Sequence, residues 1–375
     1  MTEIHVWTHP RSLARGRGMD RLTALRPDAV RVAYVYHSAR WLSHSSRPGM
    51  VDQLGSGGWS EAVAHQGLGL PIHGDDADQA AADLRARGVA VIAWIVGLHS
   101  TPLATRHPDL AVVNAFGHSF RHALCPAVAE VADHAIRLVA GVAATGVDGI
   151  DLEAFGYLGW PHTGEHSKFG NGLRPVDEWL LSVCLCVACE GRLDDVGVDA
   201  DALRARIRTE ITRQLEAPRP AAADTSTDAV AALGQPMHDR VLEMRSAVTE
   251  DLVVAAVAAA AGVPTTLRVT RDQYACGGKS TGDLARLATA AGTVTFTDLT
   301  ADGSGLNADL TAAAAAGVPA DRVDLGWLVP RARRVAMPDL ALGPRAVSLY
   351  AYDQAPDTRL AEEMREARVR LGVAA

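Results

Sequence analysis

The chain has 375 residues, a formal charge of −8 and a pI near 5.9, and its 36 basic side chains are scattered among 44 acidic ones. That balance argues against a nucleic-acid partner, which needs a concentrated basic surface. Five cysteines in a chain of this length do not make a disulfide framework. The opening Met1-Thr2-Glu3-Ile4-His5 lacks a basic segment followed by an apolar core, and the most apolar stretch, Leu252 to Val263, falls short of the roughly twenty apolar residues that span a bilayer. A cytoplasmic enzyme with no membrane partner is the expectation.

In chain order, short runs rich in valine and isoleucine alternate with stretches of helical period. Strands are predicted at Glu3–Thr8, Ala29–Tyr36, Val89–Val96, Gly149–Glu153, Thr266–Val269, Val294–Asp298, Arg322–Trp327 and Ala346–Tyr352. Helices are predicted at Asp75–Arg87, Val128–Thr145, Thr281–Ala291, Asn307–Gly317 and Asp357–Leu371, several closing on glycine. Eight such alternations favour an α/β fold, a single (β/α)8 TIM barrel over 1–375, above an open doubly wound sheet. Residues 37–74, 97–125 and 154–180 follow strand ends, the face on which such barrels build their sites. A loop and cysteine-rich insertion is expected after the fourth strand, at about 154–228, and within it 217–228 reads as an exposed link.

The fourth strand ends Asp148-Gly149-Ile150-Asp151-Leu152-Glu153, and alternation puts Asp151 and Glu153 on one face opposite Ile150 and Leu152. If that face points inward, both carboxylates stand near the mouth, and two close acids favour a proton held on one of them, as a general acid requires. Glu153 is the leading catalytic candidate. A glycosidase needs a second carboxylate across the sugar; Asp298, closing the sixth strand, is preferred, with Asp151 or Asp272 as substitutes. His37, His99, Tyr36, Trp327 and Tyr352 fall at or near strand ends and are candidate substrate contacts, with packing the competing role for each aromatic. His162, His166 and Lys168 follow Glu153 in a loop.

Cys184-Leu185-Cys186-Val187-Ala188-Cys189 concentrates three thiols, and on a helix Cys184 and Cys186 would point to nearly opposite sides, so a metal knuckle explains the trio better than a core stripe. The fourth ligand of a structural Zn2+ is expected from Cys125. Gly277-Gly278-Lys279-Ser280 fails the phosphate-loop pattern, since the first glycine would fall at Gln273, and it reads as a turn. No organic cofactor is expected.

Cys125-Pro126, the following helix, the strand ending in Glu153 and the Cys184-x-Cys186-x-x-Cys189 turn together resemble the zinc-bearing β-galactosidases of glycoside hydrolase family forty-two and related uncharacterised hydrolase-like barrels. The likeness covers about residues 114–193. It implies a TIM-barrel glycoside hydrolase-like protein, with Glu153 as acid/base and Cys125, Cys184, Cys186 and Cys189 on zinc. Two departures stand out: Leu152 occupies the place of the family's asparagine, and no glutamate near Gly326-Trp327 matches its nucleophile. The expected activity is carboxylate acid/base chemistry on a small carbohydrate or glycoside, with homo-oligomer formation left open. The alternatives are a metal-dependent hydrolase or lyase drawing on His37, His99 and Asp298, and a non-catalytic carbohydrate-binding barrel.

Overall fold

The computed structural model describes residues 2–14, 17–44, 49–64, 66–162, 172–299, 304–329, 337–340, 343–350 and 352–372. Its centre is a parallel sheet of β1 (Glu3–Thr8), β2 (Ala29–Tyr36), β3 (Ala90–Val96), β4 (Gly149–Glu153), β5 (Thr265–Val269), β6 (Thr293–Asp298), β7 (Val323–Leu328) and β8 (Ala346–Tyr350). Each strand pairs with the next, and β1 pairs with both β2 and β8, so the sheet closes on itself as a (β/α)8 barrel. Closure removes the edges that an open sheet would have to protect.

The faces of the strands divide by chemistry. Outward side chains such as Ile4, Val6, Val30, Ile95, Leu152, Leu267, Phe296, Leu325 and Leu349 are buried under the helical layer, where apolar area contributes about 25 cal/mol per Å² removed from water. The interior is polar: His5, Arg31, Asp151, Thr266, Arg268, Thr295, Asp324 and Ser348 are all buried there. Trp7 fills the centre, and Gly326 makes room for it, since a Cβ at that position would stand 2.9 Å from the Trp7 ring and from Thr297.

A register irregularity between Ala33 and Val35 interrupts the β2–β3 ladder. One extra residue reverses inward-outward parity from that point on. Arg31 therefore faces the interior and so does Tyr36, whose ring meets Trp94 edge-on at 4.8 Å. Unbroken alternation would have turned Tyr36 toward the helices.

The segment after β4 is largely helical, with Pro175–Leu181, Val187–Asp195, Ala200–Glu216, Thr225–Leu233 and the long Gln235–Ala259. The expected link at 217–228 gives way to helix at Thr225, where Asp224 caps the chain by accepting the Thr227 N–H. Two short hairpins, Ala39–Leu42 with Val51–Leu54 and Ala111–Val113 with Ser119–Leu124, add walls around the mouth. No described helix is long and apolar enough to cross a membrane.

Candidate active site

Inside the barrel, two guanidiniums and three carboxylates alternate from floor to mouth. Arg31 pairs with Asp324 at 2.5 Å and Asp151 at 3.2 Å. Arg268 pairs with Asp151 at 3.2 Å and Glu153 at 2.7 Å. Both arginines lie on the Trp7 ring, at 4.9 and 4.3 Å from its centroid, and Arg268 also lies 4.5 Å from that of Trp94. Burial alone would push the Asp151 carboxyl up, but Arg268, Arg31 and the Trp7 indole N–H outweigh it and hold it below its ordinary range.

This geometry revises the expected role of Asp151, which is fully buried beneath the mouth with its charge taken up by two guanidiniums. It is a structural acid, and the like-charge argument for keeping a proton on Glu153 falls away. Glu153 itself is partly exposed at the end of β4, with Oε2 accepting the Trp94 indole N–H at 2.7 Å beside the Arg268 pairing. Two such donors stabilise negative charge on the carboxylate, which suits a base, nucleophile or electrostatic stabiliser. Gly278 lets the chain pass close by, since a Cβ there would lie 3.0 Å from Glu153 Oε1. Ala154, next in sequence, takes a left-handed φ of 58°, a conformation costing about 1–2 kcal/mol outside glycine. It is held by its N–H to Gly278 O at 2.7 Å and by Leu98 N–H donating to its carbonyl at 3.0 Å.

Imidazoles line the wall beside Glu153. His37 stacks on Tyr36 at 4.3 Å and on His99 at 4.9 Å, and His162 and His122 approach His99 at 4.8 and 5.9 Å. Burial, reinforced by repulsion from the other three rings, pushes His99 down to about 2, so it is neutral and can donate or accept. Its Nδ1 is buried without a hydrogen-bond partner. His37, His99 and Tyr36 thus gather at the mouth.

Three other candidates turn elsewhere. On β6 the inward face is Thr293, Thr295 and Thr297, so Asp298 continues the outward face of Val294 and Phe296 and accepts the Gly305 N–H at 3.0 Å at the start of helix Gly305–Ala315. It does not stand across the axis from Glu153, and the second-carboxylate role proposed for it is corrected; the metal alternative loses the same ligand. Trp327 shares the outward parity of Val323 and Leu325, and its indole N–H donates to Glu363 on the last helix at 2.9 Å, so it is packing rather than a substrate contact. Tyr352 is fully buried, with its hydroxyl donating to Gly18 O at 2.7 Å, and is likewise a packing residue. Asp272 is exposed and accepts the Tyr274 N–H. Glu153 is the acid that β4 carries to the mouth; a second acid at that end, Asp353, lies buried just beyond β8 and accepts the Thr8 hydroxyl at 2.9 Å. His166 and Lys168 lie outside the described residues. Arg268 was missed by sequence reasoning; a charged residue inside the apolar run Thr266–Val269 was its signal.

The cysteines form a separate cluster on the flank. Cys125 follows strand Ser119–Leu124, Cys184 and Cys186 sit in the turn before helix Val187–Asp195, and Cys189 lies in that helix's first turn. All four are buried, and their sulfurs lie within 4.8 Å of one another. Cys125 Sγ is 3.5 Å from Cys189, 3.6 Å from Cys186 and 3.7 Å from Cys184. Zinc–sulfur bonds of about 2.3 Å at tetrahedral corners put sulfurs about 3.8 Å apart, so the four thiols fit that ion.

No known protein family and no curated protein matches the chain. Solved structures do. The catalytic domain of β-amylase from Paenibacillus polymyxa is 14% identical, with a TM-score of 0.57 over 100% of this chain and 99% of that one. β-Galactosidase from Bacillus circulans sp. alkalophilus is 12% identical, with a TM-score of 0.54 over 99% of this chain; the chain spans 57% of that protein's length. At these identities the likeness is one of fold, and it defines the class: a (β/α)8 barrel.

Proposed function

We propose that this chain is a glycoside hydrolase or closely related carbohydrate-processing enzyme that works from Glu153. The observation that carries the reading is the setting of that carboxylate, gripped on one oxygen by Trp94 and Arg268 at the mouth of the barrel, beside a wall of imidazole and phenol rings. A pinned carboxylate can take a proton from an attacking water or stabilise the positive charge that develops at an anomeric carbon. His37, His99 and Tyr36 suit a hydroxyl-rich ligand, because imidazole and phenol side chains offer both donors and acceptors. A small carbohydrate is the substrate class. The likeness to glycoside hydrolase-like barrels supports this reading.

Glu153→Gln tests it. The amide keeps the shape but cannot exchange a proton, so kcat on an accepted glycoside should fall about a hundredfold to ten-thousandfold, with sugar binding by calorimetry retained. Turnover near the parent rate would reduce Glu153 to a structural acid. A second reading, a carbohydrate-binding barrel without catalysis, is favoured by the outward turn of Asp298, which removes the acid expected across the axis from Glu153. Binding without turnover across a glycoside panel would select it.

The four cysteines support a structural zinc, held by Cys125, Cys184, Cys186 and Cys189, that would fasten the segment around 184–189 to the end of strand Ser119–Leu124. Free thiols at this spacing suit a reducing, cytoplasmic setting.

A further inference from the structure

Four thiolates around a divalent ion carry a net charge of about −2, and such a charge inside a protein is costly unless donors and cations surround it. The surroundings of this cluster hold two features of that kind. The Val113 N–H lies 3.3 Å from Cys184 Sγ, and the Tyr157 hydroxyl lies 3.4 Å from Cys189 Sγ. Tyr157 is almost fully buried, and on its ring lies the guanidinium of Arg245, 4.4 Å from the centroid.

Arg245 is otherwise hard to account for. It sits on the inward face of helix Gln235–Ala259, 2% exposed. No carboxylate pairs with it among the described residues, and its Nε and Nη2 are buried without hydrogen-bond partners. Cys276 is close enough to feel its charge, but burial pushes that thiol up, so it supplies no counter-charge. Arg245 Nη1 donates to the carbonyl of Ser182 at 3.2 Å, two residues ahead of Cys184. A buried cation with no anion is costly, and the anion that would offset it is a metal tetrathiolate at the hydroxyl end of the same tyrosine ring.

We propose that Tyr157 and Arg245 form the outer shell of the four-cysteine centre, the hydroxyl donating to the Cys189 sulfur and the guanidinium offsetting the negative charge of the loaded site. The inference rests on the zinc reading above. Tyr157 also lies four residues beyond Glu153, so the loop leaving the candidate catalytic strand is moored to the cysteine turn by the same side chain.

The test compares the full-length parent with Tyr157→Phe, Arg245→Met and Arg245→Lys, each loaded with Zn2+ or with Co2+. Zinc affinity is read by competition with a chromophoric chelator, and the cobalt forms by their thiolate-to-metal charge-transfer band. The parent should take up about one ion per chain. Tyr157→Phe and Arg245→Met should weaken zinc binding about 10- to 100-fold and shift the band, with Arg245→Lys restoring much of the affinity. A loaded parent whose variants keep parental affinity and band position would overturn the outer-shell proposal and leave the zinc reading intact. A parent with four reduced thiols and no metal uptake would overturn the zinc reading itself. If Arg245→Met does not fold, Tyr157→Phe decides, since it keeps the ring and removes only the donor.

Discussion

The barrel interior and the cysteine flank both bury polar groups, and they answer the cost in opposite ways. In the interior every guanidinium bridges two carboxylates, Arg31 between Asp324 and Asp151 and Arg268 between Asp151 and Glu153. That region carries its own counter-ions once the strands close. On the flank, four sulfurs converge with no cation directly on them among the described residues, and Arg245 reaches the neighbouring tyrosine ring and the Ser182 carbonyl rather than a sulfur. On the zinc reading proposed above, that region would be complete only when solution supplies an ion. The first arrangement depends on register and, on that reading, the second on the composition of the medium, so a point substitution should break the one and a chelator the other.

The largest expected effect on the comparison comes from Arg31→Met. It leaves Asp151 and Asp324 buried with a partner removed from each, and should cost about 3–5 kcal/mol in urea-unfolding free energy, with or without chelator present. A loss below about 1 kcal/mol would show that the interior charges are not a stability unit, and the contrast with the flank would fail.

A smaller effect concerns the imidazole wall. His99 stays neutral in the folded protein down to about 2, whereas unfolded it takes a proton near 6.5. Between those values the unfolded state binds more protons, so stability is present above pH 6.5 and is lost as the pH falls through it. From pH 7 to pH 5 the parent should lose about 2 kcal/mol more than His99→Gln. Unfolding curves at the two pH values check this; equal losses would mean that His99 is not a buried neutral ring.

The smallest effect is assigned to Asp298→Asn. Asp298 accepts the first N–H of helix Gly305–Ala315, and the amide oxygen of Asn can accept it too, so the change should cost less than about 1 kcal/mol and leave kcat within a few-fold of the parent. A fall of a hundredfold or more would return Asp298 to the catalytic site.

Much of the scaffold was legible in the sequence. The predicted bounds of β1, β2 and β4 match the observed ones, and the other strands differ by a residue or two, because apolar β-rich runs between glycine-closed helices are a local signal. The convergence of Cys125 on the Cys184-x-Cys186-x-x-Cys189 turn was also readable, since a helix would point Cys184 and Cys186 to nearly opposite sides and a tetrahedral metal site calls for a fourth thiol. Alternation alone could have excluded Asp298 and Trp327, which continue the apolar faces of their strands rather than the polar ones.

What alternation could not supply was which neutralising partner each buried charge would meet. Asp151 and Glu153 share a face in the sequence, but their different chemistry comes from Arg31 on β2 and Arg268 on β5, brought to them only by closure of the barrel. The inward turn of Tyr36 came from a single register shift against β3. Sequence by itself determined the strands, their polar faces and the cysteine turn, because those depend on neighbours within a few residues. Tertiary structure decided which acid is neutralised and which reaches the mouth, because electrostatic pairing depends on distances of about 3 Å between groups far apart in the chain.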